Sequence, residues 1–281
     1  MKKEGTLWVL AICFTTLIYS SCGGHDPKLD PVLKRSKSVC LSVNQSYPQL
    51  DQPKEYPLAE VMGDVLEEAG IEAYIQHGPC DVEVSMDFEF TALSEDYSVK
   101  ENQFTFAGEI AECFTGTEYH ATVKYGDRER GFSRRNPPPT GTIYSCPTLE
   151  MAEFFTIAYE AAVTALVAGW EDKDLTILDA ALSHEDPDMR VAAAKYFFGR
   201  SHILGREESG KLLLLHLMMV EDDSRFTEAI LDSFESMYPG QIDPADDPSS
   251  FPRFICDHAD WFEDLGEEEY EALLADCQGL Q

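Results

Sequence analysis

Basic residues are scarce in this chain: 21 Lys and Arg stand against 52 Asp and Glu, a formal net charge of -31 over 281 residues. That balance excludes a nucleic-acid binder, because phosphates would be repelled. Long apolar runs are scarce too. Only residues 7–19 approach membrane-span character, which excludes a channel or transporter built from spanning helices. Catalytic signatures are missing as well: there is no G-x-S-x-G, no H-E-x-x-H and no P-loop. His77 and Cys80 have metal-like spacing, but one pair does not make a metal site. The scattered carboxylates form no defined acid–base pair. The chain therefore reads as non-enzymatic, with no cofactor and no metal. Apolar content is ample at 44%, so a packed core is expected. The length suits one large or two modest domains.

The amino terminus reads as an address. Lys2 and Lys3 open it, the apolar run of residues 7–19 follows, and Ser20 and Ser21 precede Cys22. This is the plan of a secretory signal, with residues 1–21 removed on export. Ser20-Ser21-Cys22 resembles the lipobox of bacterial lipoproteins, with Tyr19 where that family usually carries Leu. The resemblance implies that Cys22 is diacylated and anchors the protein to a membrane. It also implies a place in the cell envelope, as an outer-membrane lipoprotein facing the periplasm or the cell surface. Ordinary cleavage to a secreted soluble protein is the alternative. Residues 22–37 carry glycines, prolines and alternating charge without periodicity, and read as a flexible tether reaching about 50 Å when extended.

Without Cys13 and a lipidated Cys22, six cysteines remain: Cys40, Cys80, Cys113, Cys146, Cys256 and Cys277. An even count in an exported chain points to disulfides, and pairing within each half is the simplest scheme.

Residues 38–170 read as an α+β domain. Residues 38–43 alternate at period two, a strand. Leu58, Val61, Met62, Val65 and Leu66 form one helical stripe, with Pro57 ahead of it and Gly70 after it. Residues 71–75 suit a short strand. From Val82 to Ala92 every second residue is apolar, with Asp and Glu between. Residues 104–114, 117–125 and 130–134 read as further strands, and residues 149–168 as a long helix capped by Thr148. The expectation is a mainly antiparallel sheet with helices on its apolar face. That order resembles the amino-terminal module of TolB-like proteins in topology alone. A hairpin of the strands at 80–93 and 104–114, bulged at Gly108, would bring Cys80 to Cys113.

Residues 171–240 read as short all-α repeats. Ile177, Leu178, Ala181 and Leu182 are followed by Asp186-Pro187, then Arg190 and Ala192-Ala193-Ala194. A shift of 35 residues sets Leu217 on Leu182, Arg225 on Arg190 and Ala229 on Ala194. The pattern resembles HEAT repeats, which implies stacked helix pairs and a surface for protein partners. Asp186 is an expected N-cap and Pro187 an expected first helical residue. Ala192, Ala193 and Ala194 read as a close helix contact. The helix before the repeats and residues 241–281, an acidic helical segment, would cap the stack. A bridge between Cys256 and Cys277 would clamp the carboxyl-terminal end.

Residues 221–281 hold 18 acids and two basic residues, most simply a solvated face. The opposite sign gathers at Lys124, Arg128, Arg130, Arg134 and Arg135, with only Asp127 and Glu129 among them. This strip either neutralises the acidic sheet face or binds an acidic partner. The sequence thus reads as a bacterial HEAT-repeat lipoprotein, tethered through its lipid and presenting its repeats to a protein partner. The alternative is an auxiliary component of envelope assembly or transport acting through the sheet.

Overall fold

A computed structural model describes residues 33, 35–47, 56–97, 111–136, 153–170, 173–198, 200, 205–219, 223–242, 250–262, 270–271, 274–275 and 277. The signal segment, residues 22–32 and 34 of the expected tether (Cys22 among them), Gly108, Cys146 and Thr148 lie outside them.

Among the described residues, five strands and seven helices make a mixed α/β fold. The strands are β1 (Ser38–Ser46), β2 (Glu72–Ile75), β3 (Val82–Tyr97), β4 (Ala111–Tyr125) and β5 (Arg128–Asn136), in the spatial order β2-β1-β3-β4-β5. The two longest ladders, β3–β4 and β4–β5, are antiparallel. The sheet departs from the expected pattern at β1, which runs parallel to both its neighbours. The reason lies in the connections. Helix α1 (Leu58–Glu68) carries the chain from the end of β1 back to the start of β2, and a parallel pair needs such a crossover. Pro57 stands at the N-cap of α1. At its far end Gly70, at φ +78°, lets Ile71 N–H reach Leu66 O at 2.8 Å and ends the helix.

Alternation sorts the sheet into two faces. Val39, Leu41, Val82, Val84, Met86, Phe88, Phe90, Tyr119, Ala121 and Val123 are buried on one face. Asp87, Glu89, Glu118, His120 and Lys124 share the other, as the register requires. Residues 111–114, the described part of the expected strand 104–114, join the expected strand 117–125 in one strand, and residues 104–110 lie outside the described residues. β4 runs through the junction with Thr115 out of register, opposite Leu93 and Ser94, and Gly116 at φ +146°. Leaving one residue unpaired keeps the inside–outside alternation of a long ribbon on both sides of the bulge.

The helices stack outward from the apolar face in pairs. α1 and α2 (Glu153–Gly169) lie against the sheet. α3 (Asp174–Leu182) and α4 (Pro187–Tyr196) pack on that pair, and α5 (Arg206–Met219) and α6 (Ser224–Met237) pack on α3 and α4. α7 (Ser250–Asp257) and a 3-10 turn (Ala259–Phe262) follow. So α2–α4–α6 form one row and α1–α3–α5 the other. The first pair is assembled from either side of the strand insertion. The buried side chains, from Leu33 to Phe262, make one continuous cluster, so sheet and helices share a core.

Asp186 caps α4, accepting from Asp188 N–H at 2.9 Å, with Pro187 as the first helical residue. Asp223 caps α6 in the same way, through Phe226 N–H at 3.1 Å. These caps lie 37 residues apart, whereas α3 and α5 begin 32 apart. The 35-residue shift read from the sequence therefore averages two offsets. α5 is 14 residues long against nine for α3, which moves the two helices of the second pair by different amounts. Met189, Ala192, Ala193 and Phe197 match Phe226, Ala229, Ile230 and Phe234 in burial at the 37-residue offset.

Candidate interaction surface

The basic strip lies on the sheet's last hairpin. Gly126 and Asp127 form a two-residue turn, with Gly126 at φ +52°, and β5 returns along β4 from Arg128. Alternation then divides the five basic residues between the two faces. Arg128, Arg130 and Arg134 share the helix-facing side, in register with Tyr125, Val123 and Tyr119. Lys124 and Arg135 stand on the opposite, polar side, where Arg135 is in register with Glu118.

Lys124, Arg130 and Arg134 make the following contacts within the molecule. Lys124 Nζ donates to Asp87 Oδ2 at 2.8 Å, and Asn44 donates to the other oxygen of that carboxylate at 2.8 Å. The Lys124 bond, then the Asn44 bond, hold the Asp87 carboxyl below its ordinary range, and the Asp87 bond raises the Lys124 ammonium above its own. Arg130 reaches Ala168 O at 3.3 Å, at the carboxyl end of α2, and its guanidinium lies 5.0 Å from the Phe132 ring centre. Arg134 forms an ion pair with Glu160. Arg128 and Arg135 are exposed.

Glu160 lies at the centre of a buried polar network that the sequence reading missed. It is 3% exposed on an otherwise apolar stretch of α2. Thr164, one turn on, donates to Glu160 O at 2.8 Å. The Thr164 hydroxyl oxygen lies 3.2 Å from Tyr119 Oη on β4, which donates to it, and 3.2 Å from Arg200 beyond α4. Burial pushes the Tyr119 hydroxyl above its ordinary value. The Glu160 charge adds to that push, and Arg200, Thr164 and Arg134 oppose it. Tyr119 thus stays a neutral donor. The network ties the sheet to the two helical layers above it. A lone acid inside an apolar helical run was the available signal, since a buried carboxylate needs a cation.

A second set of charges joins the helical pairs. Arg190 donates to the backbone oxygens of His184 at 2.9 Å and Glu185 at 3.1 Å, and to Asp223 on the next pair at 3.2 Å. Arg225 answers from α6 to Asp188 at 2.8 Å. On the α1–α3–α5 row, His216 Nε2 meets Asp179 Oδ1 at 2.7 Å, and His184 Nε2 lies 4.0 Å from Asp64 Oδ2. Arg190 thus links the two helical pairs through its guanidinium. Ala192, Ala193 and Ala194 are fully buried.

The described residues contain two disulfides. Cys256 and Cys277 are bonded, with Cα atoms 5.3 Å apart, as expected for the carboxyl-terminal clamp. Cys80 bonds to Cys40, with Cα atoms 5.5 Å apart, and not to Cys113. The correction follows from strand order. Residues 76–81 cross from β2 to β3 over the start of β1, and Cys40 points to the side they pass on, its Sγ 3.5 Å from Gly78 O. Cys113 is in register with Glu95, at the far end of β3 from Cys80.

Among the described residues no group of three His, Cys, Asp or Glu side chains could hold a metal ion, and no helix is long and apolar enough to cross a membrane. No known protein family, curated protein or solved structure matches the chain.

Proposed function

We propose that this chain is a lipid-anchored envelope protein whose work is to hold a protein partner rather than to catalyse a reaction. The observation that carries the reading is the pairing of an export-type amino terminus ending at Cys22 with two formed disulfides downstream. Disulfides persist in oxidising compartments, which supports export. Two or more acyl chains at Cys22, each methylene adding about 0.8 kcal/mol on burial, would make the anchor lasting.

In this reading the helical pairs form a HEAT-like stack that begins at α1 and α2. The sheet closes one end of the stack, and α7 with its disulfide closes the other. Solenoids of stacked pairs serve as binding surfaces, and capped ends keep them soluble. The exposed members of the basic strip, Arg128 and Arg135, supply a patch of the sign opposite to the rest of the chain.

The test is fractionation of cells. Wild-type protein should sediment with membranes, and Cys22→Ala should release it to the soluble fraction. Wild-type protein found in the soluble fraction would refute the lipid anchor. Crosslinking in intact cells, followed by identification of the attached protein, names the partner.

A further inference from the structure

The hairpin arithmetic at residues 126–127 settles which way the backbone of β5 faces. In a two-residue hairpin the flanking residues, here Tyr125 and Arg128, exchange both backbone hydrogen bonds, and bonded and non-bonded pairs alternate from there. Arg128, Arg130, Phe132, Arg134 and Asn136 therefore aim their backbone groups at β4. Glu129, Gly131, Ser133 and Arg135 aim theirs away from it. Among the described residues β5 has one neighbour in the sheet, so those groups line the outer edge of the described sheet. The four outward residues are also exposed, and two of them are small.

Charge then says what fits. Residues 128–136 hold four Arg and one Glu. Counting Glu160 against Arg134, and Glu118 against Arg135 with which it is in register, still leaves the strand net positive, by Arg128 and Arg130 against Glu129. Charged residues on an edge strand often guard against aggregation. In a chain of net charge -31, however, acidic residues would guard better, because copies of the chain already repel one another. A positive edge instead attracts acidic chains. A second copy of β5 does not suit it, since two positive strands would lie side by side.

We propose that the outer edge of β5 takes up an extended acidic segment of the partner protein by strand addition, pairing with the backbone of Glu129, Gly131, Ser133 and Arg135. This rests on the reading of the chain as a protein-binding one and adds the mode of binding. Main-chain bonds would give affinity, and the arginines would select the charge.

The probe is a blocked, dye-labelled nine-residue peptide of alternating Glu and Thr, titrated against the full mature chain by fluorescence anisotropy. Binding should weaken as salt is added, because exposed charges are screened over about 8 Å at physiological ionic strength. Ser133→Pro removes one outward N–H without touching the β4 ladder, a change that edge strands tolerate. It and Arg135→Glu should each weaken binding by on the order of tenfold, with the unfolding midpoint nearly unchanged. The same peptide methylated on alternate backbone nitrogens should not bind. That arm and Arg135→Glu keep the test sound if Ser133→Pro fails to fold. Failure of the acidic peptide to bind, equal binding of the methylated peptide, or equal binding of a Lys–Thr peptide overturns strand addition. Binding to phosphatidylglycerol vesicles in place of the peptide overturns it in favour of a lipid surface. If in-cell crosslinking recovers a partner that does not touch β5, the envelope reading stands and this one falls.

Discussion

The sheet and the helical stack share one core but are packed by opposite means. On the sheet, large rings fill the space between strands and helices. Tyr47 stacks on Phe90 at 5.0 Å between ring centres, and Phe88 and Tyr119 flank Phe90. Between α2 and α4 the buried residues are largely small. Ala158, Ala161, Ala162 and Ala165 lie on α2, and Ala192, Ala193 and Ala194 on α4, all buried. The sheet is therefore sensitive to what is taken away, and the alanine seam to what is added. Charge follows the same division. The sheet buries its cluster around Glu160, while the stack places Arg190–Asp223 and Arg225–Asp188 at its margin.

The largest expected effect tests the seam. Ala193→Glu puts an unpaired carboxylate at a fully buried position, and should cost on the order of 3–5 kcal/mol, seen as a sharp fall in the thermal midpoint. An unchanged midpoint would mean that α4 is not packed as described.

Next come the covalent ties, one in each region. Replacing Cys40 and Cys80 by Ser opens a loop of sequence separation 40, and replacing Cys256 and Cys277 opens one of 21. Chain-entropy arithmetic gives about 4 kcal/mol for the first and about 3 kcal/mol for the second. Denaturant unfolding of the two double variants should show the sheet variant as the weaker. The reverse order would place more of the stability in the carboxyl-terminal clamp than loop size allows.

The smallest effect concerns the polar face of the sheet. The Asp87 carboxyl is held below its ordinary range when folded. Its contribution is present above the unfolded carboxylate value of about 3.9, and is lost as pH falls through the lower folded value. Asp87→Asn should therefore flatten the acid limb of the stability curve and remove less than about 1 kcal/mol near neutral pH, because the pair with Lys124 is exposed. A larger loss would show that the pair is screened less than its exposure implies.

Much of this was legible in the chain, because periodicity reports local surroundings. The alternation of Val82, Val84, Met86, Phe88 and Phe90 gave β3 and its buried face. Asp186-Pro187 gave the start of α4, and the six-cysteine count gave the carboxyl-terminal bridge. Strand order was not legible, because it depends on which strands meet across long separations. That is why Cys80 was matched with Cys113 when β1 lies between β2 and β3 and brings Cys40 to it. The single 35-residue period failed for a related reason: self-similarity measures the mean repeat, while α3 and α5 differ in length. Of the basic strip, the sign was visible and the facing was not. Only the two-residue turn at Gly126-Asp127 assigns Arg134 to Glu160 and Arg135 to the polar side.

The crossing at residues 76–81 has a mechanical consequence. A pull from the amino-terminal side, such as a tether would transmit, meets the buried Leu33 and then β1. That strand has a parallel neighbour on each side and a disulfide-held segment crossing its first residues. A load along β1 would strain both ladders together instead of parting one hydrogen bond at a time. The Cys40–Cys80 bond would stop β1 from sliding out beneath the crossing. The start of β1 is thus built to resist force, and reducing the molecule would weaken it there before the helical stack felt the load.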